Sequence, residues 1–125
     1  KLDYLLIDTH PGLNEETLLS ITISDVLLLL MRPDRQDFQG TAVTVDVARK
    51  LGVPQLFLII NKVPSNIDVE DLRQQMTNVY GAEVAAILPL AEEVVQNASE
   101  GLFSLTNANH PWSAQIREAA ARVSK

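Results

Sequence analysis

The chain has 125 residues, a net charge of −6, 46% hydrophobic residues and no cysteine. That length predicts one domain with a core of its own, and the hydrophobic content excludes a disordered chain. No cysteine means no disulfide framework and no thiolate metal site, and no run of Lys or Arg argues against broad nucleic-acid binding. The longest unbroken apolar run, Val26 to Met31, is six residues long, against the ~20 that a membrane-spanning helix needs.

The first informative stretch is Tyr4-Leu5-Leu6-Ile7, which runs straight into Asp8-Thr9-His10-Pro11-Gly12. Four apolar residues predict a strand buried on both faces, and the Pro-Gly pair stops it. Asp8 is then expected at the carboxyl end of a central strand, where ligands bind in open α/β sheets. An aspartate that only caps a turn would look the same locally. The chain enters this strand-like run almost at once, so it reads as part of a longer polypeptide.

Asn14, Glu15 and Glu16 resemble the start of a helix, a capping side chain followed by acids near the positive end of the dipole. That helix is predicted over 15–23. Val26 to Met31 ends at Arg32-Pro33. Leucine favours helices, but the short length and the proline predict a buried parallel strand. From about Gln36 to Leu51, apolar residues recur at spacings of three and four, and Gly52 and Pro54 punctuate the end of a helix. Gln55 to Ile60 predicts a third strand that leads into Asn61-Lys62-Val63-Pro64.

Asp68 then caps a helix that Gly81 ends, and Glu83 to Leu88 predicts a fourth strand, stopped by Pro89. A short helix over 91–99, an Asn-rich loop and a final helix opened by Pro111 complete the chain. Strands alternate with helices, and the connections are long enough for right-handed crossovers. The expected fold is α/β: a parallel sheet of about four strands with flanking helices.

All strand ends of such a sheet lie on one rim. That rim is expected to carry Asp8, then Arg32 and Asp34, then Asn61 and Lys62, then Pro89. A side-chain amide offers a donor and an acceptor together, which matches a purine edge. A lysine stem can lie along a flat base while its ammonium stays wet. Polar residues at strand ends also simply meet solvent, and Asn61 alone would equally suit a left-handed turn.

In combination and order, these segments resemble the C-terminal half of MinD/ParA-type ATPases, the deviant-Walker-A branch of P-loop NTPases. Leu5 to Gly12 resembles that family's Walker B and switch II segment, and Val26 to Asp34 its next strand and Pro-acid turn. Leu58-Ile59-Ile60-Asn61-Lys62-Val63 resembles the base-reading strand end, and Leu88-Pro89 with Glu93-Val94-Val95 and Gly101 the last family-like stretch. The resemblance implies a SIMIBI-type P-loop NTPase fold lacking the P-loop strand, and a parent that binds ATP with Mg²⁺.

Carried over, Asp8 is the Mg²⁺-associated acid and Gly12 the γ-phosphate sensor. Asn61 and Lys62 are then expected at the adenine, with the backbone at Pro89 packed against it. The departures are Pro64 where the family often has Asp, apolar Leu90 and Ala91 after the proline, and His10 where proline is frequent. No Gly-rich Gly-Lys-Thr/Ser loop occurs in these residues, so this chain alone is expected to be inactive. The missing strand would lie between the Asp8 strand and the Val26 strand. Those two must therefore pair directly, or another molecule must fill the gap.

The implied partners are ATP, a second copy in a homodimer, and proteins positioned by a nucleotide switch in segregation, division-site placement, or pilus or secretion assembly. The implied location is the cytoplasm, with any peripheral attachment to the inner membrane made through parts outside this chain. The final helix is too poor in cations for a membrane-surface role. Two further readings stand beside the ATPase. One is a non-catalytic adaptor that binds protein partners. The other is a receiver-like phosphoacceptor, which lacks a second carboxylate near Asp8.

Overall fold

A computed structural model describes residues 2–124. Among these, the elements in chain order are α1 (Glu15–Ile23), β1 (Val26–Met31), α2 (Arg35–Lys50), β2 (Gln55–Val63), α3 (Val69–Tyr80), β3 (Glu83–Pro89), α4 (Glu92–Asn97), α5 (Phe103–Thr106) and α6 (Pro111–Val123). The α/β reading with a parallel sheet and flanking helices holds. The sheet has three strands in the order β1-β2-β3, and both ladders are parallel.

One expected strand is not formed. Residues 4–7 have no ladder partner, and Tyr4, Leu5, Leu6 and Ile7 stand 44–85% exposed. Hydrophobicity predicts burial, but a strand also needs a neighbour for its backbone groups, and this run pairs with none among the described residues. Of the two outcomes expected for the gap, direct pairing with β1 does not occur.

The helix ends follow their local chemistry. Asn14, Asp34 and Asp68 each accept a hydrogen bond from a first-turn backbone N–H. Gly81 closes α3 in the left-handed conformation. His110 caps α6 through Nδ1, which accepts from the Trp112 N–H at 3.1 Å, with Pro111 at the first helical position. The helix expected over 91–99 is shorter, and α5 arises inside the stretch predicted as loop.

Side chains alternate across the sheet into two cores. On one face Leu58, Ile60, Val84 and Ile87 pack with Val45 of α2 and Leu72, Met76 and Tyr80 of α3. On the other, Phe57, Ile59, Ala85 and Leu88 meet Trp112, Ile116 and Ala119 of α6, so the last helix packs on the sheet. The Tyr80 hydroxyl donates to the Phe38 carbonyl at 2.8 Å and ties α3 to α2, and burial pushes its phenol pKa up.

One buried group stands out. Ser113 Oγ in α6 is fully buried and has no hydrogen-bond partner among the described residues. An unpaired buried hydroxyl costs about 1–3 kcal/mol. Ser113→Ala is therefore expected to stabilise the chain by about 1 kcal/mol, read as a higher urea midpoint; a lower midpoint would show that the hydroxyl is satisfied.

Candidate functional site

The carboxyl ends of the three strands share one rim because the strands are parallel. Met31 pairs with Ile60 and Val63 with Pro89. Arg32, Asn61 with Lys62, and Pro89 with Leu90 therefore lie side by side along that rim. The Leu90 N–H donates to the Val63 carbonyl at 2.9 Å, fastening the segment after β3 to the end of β2.

The sequence places Asn61 and Lys62 directly after the strand, at its carboxyl end. They lie inside β2, at a break in its register. Ile60 pairs with Ile87 but Val63 pairs with Pro89, so β2 carries one more residue than β3 across this stretch. The extra length is taken up where Lys62 adopts φ +55°. A left-handed backbone at a residue other than glycine costs about 1 kcal/mol or more and persists only where the surroundings impose it. Such bulges re-aim side chains and concentrate beside active sites.

Asn61 Oδ1 accepts from the Lys62 N–H at 2.9 Å. This bond holds the side chain, and its Nδ2 donors have no partner among the described residues. The amide thus offers two donors and one remaining acceptor lone pair at the rim. The Lys62 side chain is exposed beside it.

Arg32 is pinned on the neighbouring strand end. Its backbone N–H donates to Asp37 Oδ2 at 2.8 Å, and its Nε donates to the same oxygen at 3.4 Å. Asp34 Oδ2 lies 3.4 Å from that Nε, while Asp34 Oδ1 caps α2. The Arg32 backbone N–H first, and the guanidinium second, hold the Asp37 carboxyl below the ordinary aspartate value. A depressed folded pKa gives a contribution that is present above the unfolded value and is lost as pH falls through the folded one. The melting temperatures of the native chain and of Asp37→Asn should therefore differ at neutral pH and converge in acid below the aspartate range. A gap that persists there would assign the effect to packing.

Asp8 and Gly12 are placed differently from expectation. Asp8 was expected at the end of a central strand. That strand is absent, so no ladder carries Asp8 to the rim, and its side chain is exposed. Gly12 has φ +93°, a conformation that favours glycine, with open space where a Cβ would stand. His10 is exposed, and its carbonyl accepts from Thr17 Oγ1 of α1 at 3.5 Å. No group of three or more His, Cys, Asp or Glu side chains able to hold a metal occurs among the described residues.

Two open depressions lie elsewhere, one along α6 around Arg117 and Arg122, the other between α4, α5 and Trp112. Neither includes Asn61. The sequence pattern singled out Asn61, Lys62 and Pro89, and the structure brings the three to one rim. It missed the role of Asp37, whose only local signal is its place in the first turn of α2, and it missed the bulge, which depends on pairing with β3.

No protein-family model matches the chain. It is 24% identical over 123 residues to an uncharacterized ATP-binding protein of Methanocaldococcus jannaschii, covering 98% of this chain and 46% of that one. It is 26% identical over 95 residues to a second uncharacterized ATP-binding protein of the same organism, covering 76% and 37%. Among solved structures it resembles the MinD cell division protein of Aquifex aeolicus, with TM-score 0.73 and 17% identity over 90% of this chain and 49% of that one. The chain thus has a MinD-like α/β fold and spans about half the length, or less, of the proteins it matches.

Proposed function

We propose that this chain is the base-binding half of an ATP-binding, Mg²⁺-dependent ATPase of the MinD/ParA type, a C-terminal piece of a nucleotide-switched positioning or assembly factor. The observation that carries the reading is the bulge at the end of β2, which presents the Asn61 amide on the sheet rim beside Pro89. The MinD-like fold and the two ATP-binding relatives support it. We further place the parent in the cytoplasm as a homodimer. Among the described residues, no helix is long and apolar enough to cross a membrane.

In this reading Asn61 reads the edge of adenine, the Lys62 stem lies along the ring, and the backbone from Pro89 to Leu90 forms the wall beside it. The chemistry of the donor set fits a purine, since the amide retains both donor and acceptor capacity. The phosphate side is only begun. Asp8 supplies one carboxylate, which suits Mg²⁺ held mainly by phosphate oxygens and water. The backbone N–H of Gly12 is free to meet a terminal phosphate, and the order of the following α1 would depend on that contact. Bound Mg²⁺ supplies charge neutralisation at the phosphates. The glycine-rich cradle is not among these residues, so the chain alone binds the base weakly and does not turn over.

Adenosine titration followed through backbone amide NMR tests the base site directly. Shifts are expected to cluster at Lys62, Val63 and Leu90 and to vanish in Asn61→Ala. Shifts elsewhere, or none at millimolar adenosine, would overturn the assignment. The alternative of a non-catalytic adaptor draws on exposed Val95, Leu102 and Leu105 around α4 and α5, and predicts no adenosine response at the rim.

A further inference from the structure

A polar junction lies where α4, α5 and α6 meet. α4 has no buried residue and no side-chain cap at its start. Among the described residues, one polar contact joins it to a distant part of the chain: Glu93 Oε2 stands 3.7 Å from His110 Nε2. That is just beyond hydrogen-bond reach. The other ring nitrogen is already engaged, because His110 Nδ1 accepts from the Trp112 N–H at 3.1 Å and so caps α6. A nitrogen that accepts carries no proton, so the neutral ring holds its proton on Nε2, toward Glu93. The Phe103 ring of α5 meets the imidazole edge-on with centroids 5.2 Å apart, and meets Trp112 at 5.7 Å. Phe103 is buried, whereas the His110 side chain is 22% exposed and can exchange protons with solvent.

The two contacts of this ring need opposite charge states. Protonation puts an N–H on Nδ1, which then faces the Trp112 N–H donor to donor, and the cap is lost. The same proton gives the ring a charge, and Glu93 of α4 is the charged group that faces it. α5 presents the uncharged Phe103 ring and α6 presents Trp112. Arg117 of α6 is engaged with the Ala108 carbonyl at 2.6 Å. We propose that His110 is a proton-operated latch between α6 and α4. Neutral, it caps α6 and leaves Glu93 loose. Protonated, it gives up the cap and pairs with Glu93, which draws α4 toward the start of α6. Glu92, the first residue of α4, lies two residues after Leu90, whose N–H is fastened to the Val63 carbonyl. Movement of α4 therefore acts on the chain just beyond the strand rim. The inference does not rest on the nucleotide reading, and its groups all lie between Glu93 and Arg117.

NMR of the 125-residue chain tests the latch in a His10→Gln background, where a single imidazole titrates. Ring nitrogen shifts at neutral pH are expected to show Nδ1 bare and Nε2 protonated. As pH is lowered through the range in which histidines titrate, the Trp112 and Val94 amides should both move with the midpoint of the ring. His110→Asn keeps a capping side chain and cannot take up a proton there, so both responses should vanish. At about pH 5, below the histidine range, the Trp112 amide should exchange roughly fivefold faster with His110 present than in His110→Asn, the effect of one lost cap. Glu93→Gln should abolish the Val94 response and keep that of Trp112. A neutral ring protonated on Nδ1, a Trp112 amide indifferent to the ring titration, or an unchanged Val94 response in Glu93→Gln would each overturn the proposal.

Discussion

Leu58→Ala is expected to unfold a large fraction of the chain at physiological temperature. Leu58 is fully buried at the centre of β2, pairs with Leu29 on one side and Val84 on the other, and packs among Val45, Leu72 and Met76. Truncating a leucine at such a site costs about 3–5 kcal/mol, because helices on one face and ladders on both sides prevent the cavity from collapsing. Total stability of a domain is only about 5–15 kcal/mol. This chain also leaves a sheet edge and a run of apolar residues exposed, which places it at the low end. Urea unfolding followed by circular dichroism should show the midpoint falling by about 2 M. Leu30→Ala, on the neighbouring strand but 63% exposed, should move the midpoint little. Equal losses at the two positions would mean that the central strand is not where the core sits.

What the sequence discloses here is what short-range chemistry decides. The caps Asn14, Asp34 and Asp68, the stop at Gly81 and the start at Pro111 are local events, and each falls where residue type predicts. Val26–Met31 forms a strand despite its leucines, because six residues before a proline are too few for a helix. The errors come from partners distant in the chain. Residues 4–7 carry the same signal as β1, yet a ladder forms only where another strand is offered. Asn61 and Lys62 are legible as residue types, but the bulge that presents them depends on the register of β3, more than twenty residues on. Arg73, Gln115 and Tyr80 bond to backbone groups on other elements, and no periodicity in their own helices announces it. Placing Asp8 on the rim relied on the one strand that did not form, so its role rests on resemblance and not on observed geometry.

The second large effect separates the two halves of the proposed nucleotide site. The chain alone is expected to bind Mg²⁺-ATP no more tightly than the millimolar range, about −4 kcal/mol. On the proposed reading its contacts are confined to the base, so adenosine and ATP should bind about equally, and Asp8→Ala should change neither. In a polypeptide that carries the glycine-rich loop ahead of this chain, the consequences diverge. Asp8→Ala removes an interaction that strengthens as charge develops on the transferring phosphate, and kcat should fall at least about 100-fold, or ~2.7 kcal/mol. Asn61→Ala removes a contact equally good in ground and transition states, so KM should rise with kcat little changed. Isothermal titration of the chain and steady-state kinetics of the longer polypeptide read both. Micromolar affinity of the chain for ATP would show that a phosphate cradle exists among these residues after all. A fall in kcat as large for Asn61→Ala as for Asp8→Ala would mean that the amide acts at the phosphates and not at the base.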